Sequence, residues 1–346
     1  MSPFDRTWTD LRALRAKPPH LAATDADRAA VFRAALEQAE QLWQASQNVG
    51  VETSPLLMFY SLAQAGRAIV ASKLADANWQ DRSNGHGIKQ AGTPAEKRSA
   101  NIQLQPFEKF RVAINKSGLF IAVSDALGSA NLATEATLQE LIAATPTEHT
   151  NRLTDAFSTC PKPLRLLQEC RPEKDFFRLE VKAYPPAGVV TTTPGPTGAD
   201  LVDRQALARW WAGYPKLAHL PLADAWLAAA EPDQWEAGRT SVYVVWKDNW
   251  QGSYDALHDK RIGSGYFEPE KFDGVVLPAI GGNGTPAHPL IHWWGILYSF
   301  SMLRRYYPSV WVDMLNVDQD GHAVGIEEYL ELETAVIPEL VALALD

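Results

Sequence analysis

The side chains in this sequence best suited to chemistry are a small set of arginines and histidines. Arg82 and His86 stand with three residues between them, in a polar stretch where Asn84-Gly85-His86-Gly87 would let a phosphate approach the backbone. A histidine titrates near neutral pH and can move a proton, and an arginine can hold charge on a phosphate oxygen. The pair therefore suits phosphoryl chemistry or anion recognition. The competing structural reading is a loop histidine that caps a helix or bonds a carbonyl. Arg67 falls inside a segment of apolar and small residues. A charge there must be paired or must reach a cleft, because an unpaired buried charge is strongly destabilising.

A second group lies near the far end of the chain, where His288, His292, Arg304, Arg305 and Tyr306 share one apolar segment. Histidines four apart fall on one face of a helix and can ligate a metal. Here Pro289, Leu290 and Ile291 lie between them, with no carboxylate where a general base would stand, so no metal is expected. Arg304, Arg305 and Tyr306 close the segment, where cations complement a helix dipole or bind an anion. Standard templates are missing. There is no phosphate-binding G-x-x-x-x-G-K-[ST] and no G-x-S-x-G elbow, Gly263-Ser264-Gly265 being only an echo of the latter. Gly281-Gly282-Asn283-Gly284 precedes a helix without the strand-turn-helix spacing of a dinucleotide site, and no cofactor is expected.

Composition bounds the partners. A formal charge of −9 repels polyanions overall, although a local basic groove is compatible with it. Cys160 and Cys170 are too few for a disulfide scaffold, and the N-terminal segment has no apolar signal core, so a cytoplasmic location is expected. The most apolar run, Pro289 to Leu303, is shorter than the roughly 20 residues that cross a bilayer, so no membrane partner is expected. The 12 tryptophans suit core packing first and base or ligand stacking second, the latter opening a small-ligand sensor reading for the C-terminal half.

These groups must be held by a mixed fold. Thr24 and Asp27 read as a capping box for a helix through Val31, Leu36, Ala39, Leu42, Trp43 and Ser46. A second helix starts at Ser54 with Pro55 at its first position and runs to Leu74, its small residues suiting close helix packing. Residues 78–100 read as a long surface loop. Phe110, Val112 and Ile114 alternate as a strand, Leu119 to Val123 reads as a second strand or a helix start, and Thr137 to Ala144 as a short helix. Strands follow at Asp175 to Tyr184 and Ser241 to Trp246, with helices around Trp210 and Trp226. The most apolar helix spans Ala287 to Tyr307, and an acidic amphipathic helix from Ile326 is interrupted by Pro338. The expected class is α+β and helix-rich: an N-terminal helical hairpin, central strands, and C-terminal helices packing back on the hairpin. Two sections are expected, 1–184 and 200–346, joined by a Pro/Gly/Thr-rich hinge at 185–199.

Three blocks carry a family likeness: Ser54 to Leu62 with Gly85-His86-Gly87; Lys116 to Phe120; and His288-Pro289 through Trp294 and Ser299 to Leu303, then Arg305-Tyr306-Tyr307-Pro308 and Trp311. Together they resemble the YaaC-like family. The resemblance implies a bacterial binding or regulatory component, associated with antiphage or stress defence, that works with a protein partner or as a homo-oligomer. The hairpin and its histidine loop also resemble HEPN helical bundles, whose nucleases hydrolyse RNA without a metal by an Arg and a His with four to six residues between them. Arg82 and His86 fall one short of that spacing, and Arg15 to His20 has it but contains Pro18-Pro19. This second resemblance makes RNA a possible partner and a ribonuclease with Arg82, His86 or Arg67 the alternative reading.

Overall fold

The computed structural model describes residues 3–132, 135–145, 152–157, 160–173, 176–183, 192–194, 200–202, 209–214, 240–246, 275–280 and 287–346. Helices α1 (Pro3–Ala16), α2 (Ala26–Ser46) and α3 (Ser54–Lys73) open the chain. The cap of α2 is Asp25 rather than Thr24, its carboxylate accepting the Asp27 and Arg28 backbone N–H groups at 2.9 and 3.1 Å. The face turned to α3 is accordingly Phe32, Ala35, Leu36 and Ala39, with Val31 only partly buried. Pro55 sits in the first turn of α3, where its missing N–H removes no intrahelical bond. The other end of α3 is closed by buried Arg28, which donates to the carbonyls of Ala71, Leu74 and Asp76 at 3.0 Å each and lies over the Trp79 ring.

The stretch 78–100, read from sequence as loop, contains α4 (Trp79–Arg82) and β1 (Ile88–Gln90). After α5 (Ser99–Leu104) and α6 (Pro106–Lys109), β2 (Arg111–Ile114) pairs antiparallel with β1 and with β3 (Ala136–Thr137). Three residues are too few for a local alternation to register, and the pairing that fixes β1 comes from 24 positions away in the Lys89 to Ala113 register. The run from Leu119 is a helix, α7 (Leu119–Ala126), and α8 (Leu138–Ala143) follows with Thr137 and Glu140 forming a capping box.

Beyond α9 (Arg152–Ala156), strands β4 (Leu164–Glu173), β5 (Phe176–Ala183), β8 (Thr240–Trp246) and β9 (Val275–Val276) form an antiparallel sheet in the order β8-β5-β4-β9. A separate ribbon pairs β6 (Thr192–Pro194) with β7 (Asp200–Val202). The expected hinge at 185–199 lies outside the described residues except for β6, as do the helix around Trp226 and the glycine-rich segments at 263–265 and 281–284.

Helix α10 (Pro289–Tyr306) is buried at every position from Pro289 to Ser301, and α11 (Pro308–Met314) and α12 (Ala323–Leu345) complete the fold. Pro338 does not break α12 as its ring geometry would suggest. Buried Ile337, Leu340 and Val341 on either side of it keep the helix packed, and tertiary burial outweighs the lost hydrogen bond. The fold is thus α+β and helix-rich, with one apolar core that includes Trp8 at one end of the chain and Leu345 at the other. Its centre is the contact of α3 with α10. Added to Gly66, a Cβ would sit 2.4 Å from the Trp294 ring, so absence of a side chain there lets the two helices touch. Trp293, Trp294 and Trp311 are wholly buried, as core packing required.

Candidate functional site

Helices α3 and α10 run antiparallel: Thr53 faces Arg304, Gly66 faces Trp294, and Lys73 lies near His288. Most of α3 is buried, and apart from Lys73 at its end the half-exposed positions Leu56, Leu57, Tyr60, Gln64 and Arg67 recur at helical spacing as a single stripe. At this stripe α10 delivers its last turn. The Arg305 guanidinium makes a loose 3.5 Å hydrogen bond to the Tyr60 hydroxyl and lies 5.1 Å from the centre of the Tyr306 ring. Arg304 reaches the Thr53 hydroxyl at 3.4 Å.

The third side of the site is the loop bearing His86. Its ring packs on Phe59 and Tyr60, with centroids 5.3 and 6.2 Å away. The loop is held by its backbone. Carbonyls of Gly85 and His86 accept the Leu119 and Phe120 N–H groups at 3.0 Å, filling the N-terminus of α7, and the Gly87 carbonyl accepts from Asn115 at 2.9 Å. Gly87 and Gly118 both have positive φ, and a Cβ on Gly118 would lie 2.5 Å from Gly87 Cα, so neither position admits a side chain. From there β1 is tied to α10: the Gln90 N–H donates to the Tyr298 hydroxyl at 3.1 Å and its side-chain amide to the Tyr307 hydroxyl at 2.9 Å.

Charge is distributed unevenly around this site. Arg12, Arg15, Arg28, Arg82, Arg111 and Arg152 each face a carboxylate. Arg67, Arg304 and Arg305 face none among the described residues. The hydrogen bond made by Arg67 goes to the Gln64 amide oxygen at 3.2 Å, and burial pulls its basicity down. Burial, then the positive charges of Arg67 and Arg305, hold the His86 imidazole below its usual pKa, so it is neutral at pH 7.

Arg82 has a different setting. Its guanidinium bridges Asp76, at 3.1 Å, and Asp125, tying α4 to α7. The structure thus sets His86 beside Arg67 and Arg305, while both forks of Arg82 are occupied by carboxylates.

His288 and His292 do structural work. His288 is the N-cap of α10, its Nδ1 accepting the Leu290 N–H at 3.1 Å, and burial lowers its pKa to about 4. His292 is wholly buried with Nδ1 3.3 Å from the Ala144 carbonyl, and burial likewise lowers its pKa to about 4. No group of three or more metal-ligating side chains occurs among the described residues. Sequence reasoning missed Tyr60, Gln64 and Tyr298. The spacing of Tyr60, Gln64 and Arg67, each one helical turn from the next, was the available signal.

A helix-rich α+β protein with a cationic, tyrosine-lined seam between two central helices is therefore the class in hand. The chain belongs to the YaaC-like family: the family model described as YaaC-like Protein matches residues 7–345, nearly the full length. No curated protein and no solved structure matches the chain. No helix among the described residues is long and apolar enough to cross a membrane.

Proposed function

We propose that this YaaC-like protein is a binding or regulatory component that recognises an anionic, phosphate-bearing ligand at the seam formed by Arg67, His86 and Arg305. The observation that carries the reading is that Arg67 and Arg305, the two arginines whose charges act on His86, have no carboxylate partner among the described residues, in a chain whose acids outnumber its bases by 41 to 32. Retaining a partly buried cation without a counter-ion costs stability, and an incoming anion would repay it. Thermal unfolding with inorganic pyrophosphate, sulfate and chloride at equal ionic strength tests this. Pyrophosphate raises the unfolding temperature of the wild-type chain and has no such effect on Arg67→Ala or Arg305→Ala. An equal response of all three proteins to all three anions refutes the site.

A metal-independent ribonuclease is the second reading, favoured by a neutral imidazole flanked by two guanidiniums, the arrangement a proton acceptor and a charge-stabilising pair would need. RNA incubated with the purified chain in chelator is expected to stay intact. Cleavage abolished by His86→Ala would replace the binding reading with the enzymatic one.

A further inference from the structure

Two features of the seam point beyond a bare anion. One is Tyr306, the aromatic among the exposed large apolar side chains of the described residues, with 58% of its surface open. Exposing a ring of that size forfeits burial unless something covers it. The other is the adjacency of ring and charge, since Arg305 lies over Tyr306 at 5.1 Å while it also reaches Tyr60. A cation and an open aromatic face are held side by side within one turn of α10, and Arg67 stands on the same half-exposed stripe of α3 as Tyr60, its charge felt, like that of Arg305, by His86.

We propose that this seam is a subsite for a nucleoside phosphate, the phosphate held by Arg67 and Arg305 and the base laid against the Tyr306 ring. This rests on the anion-binding reading above and deepens it. The His86 ring packs on Tyr60, the residue that Arg305 reaches. Tyr298 borders the group from within α10, its hydroxyl occupied by Gln90. A long polyanion is disfavoured, because the net charge of −9 repels it while two guanidiniums can neutralise only about one phosphate. The shared chemistry is a terminal phosphate with one stacked base, supplied either by a free mononucleotide or by the phosphorylated end of a single strand.

Calorimetric titration of the full chain with pyrophosphate, ribose 5-phosphate, adenosine monophosphate and a 5′-phosphorylated triadenylate separates the possibilities. Adenosine monophosphate binds at least about fivefold more tightly than ribose 5-phosphate, the increment of one stacked base. Tyr306→Ala removes that difference and Tyr306→Phe keeps it, while Arg305→Gln weakens both ligands; all three changes fall on exposed side chains. Tighter binding of the triadenylate assigns the strand end as the source, and tighter binding of the monophosphate assigns the free nucleotide. Equal affinity for ribose 5-phosphate and adenosine monophosphate overturns the nucleotide subsite and leaves the anion reading standing. Absence of binding by every phosphate compound, pyrophosphate included, overturns both.

Discussion

Single residues in this protein carry protonation states set by burial, and two histidines and a glutamate pull stability in opposite directions. His288 and His292 titrate near 6.5 when unfolded and near 4 when buried, so the unfolded chain takes up protons that the native rings refuse. Their contribution is therefore complete above pH 6.5 and is lost as pH falls from 6.5 to about 4. In His292→Gln, urea unfolding across that window should show a pH slope shallower by about one proton, or roughly 1.4 kcal/mol per pH unit. An unchanged slope would mean that the ring is charged or solvated in the native state. Glu333 works the other way. It is fully buried on α12, neither carboxyl oxygen has a hydrogen-bond partner among the described residues, and burial raises its pKa well above the ordinary value. Its folded form keeps a proton that the unfolded form releases above about pH 4.5, so stability is complete below that point and declines as pH rises. Glu333→Met should stabilise the protein at pH 8 by about 1–3 kcal/mol, measured by the denaturant midpoint, and destabilisation would reveal a partner for the carboxyl group.

Between elements, the decisive contact is the one that lets α3 and α10 meet. Gly66→Ala drives a methyl into the Trp294 ring and against the Val123 side chain of α7. Overpacking of this kind costs about 1–3 kcal/mol. Trp294→Leu in the same chain should recover a good part of that loss, so a double-mutant cycle by chemical denaturation gives a non-zero coupling; strict additivity would place the two helices further apart than described. The existence of α2, α3, α10 and α12 was legible in the sequence because each carries long runs of core-forming residues. Their details were not. The α2 cap moved from Thr24 to Asp25 because the side-chain geometry of the first turn selects between adjacent candidates. Strand β1 was invisible because its partner lies in β2, and Pro338 was read as a break because a local rule does not include the packing that overrides it.

At the scale of the whole molecule, the first and last helices share an interior. The ring of His20 bonds the Leu345 carbonyl at 2.9 Å, α12 packs on α1 and α3, and α10 fills the space beside α3. A fragment comprising residues 1–184 would expose the apolar side of α3, so it should lack a cooperative unfolding transition by circular dichroism. A polypeptide covering 287–346, added in trans, should restore one. A fragment that unfolds cooperatively alone would show that the N-terminal section has a sufficient core of its own. Helix-rich α+β class, the helical hairpin and its C-terminal cover were all determined by the sequence alone, because apolar periodicity and turn chemistry are local properties of the chain. Which arginines are paired was decided only by tertiary structure. Charge partners such as Asp125 for Arg82 are chosen across 43 positions by the way helices dock, and the same docking leaves Arg67 and Arg305 near His86 with no carboxylate partner among the described residues.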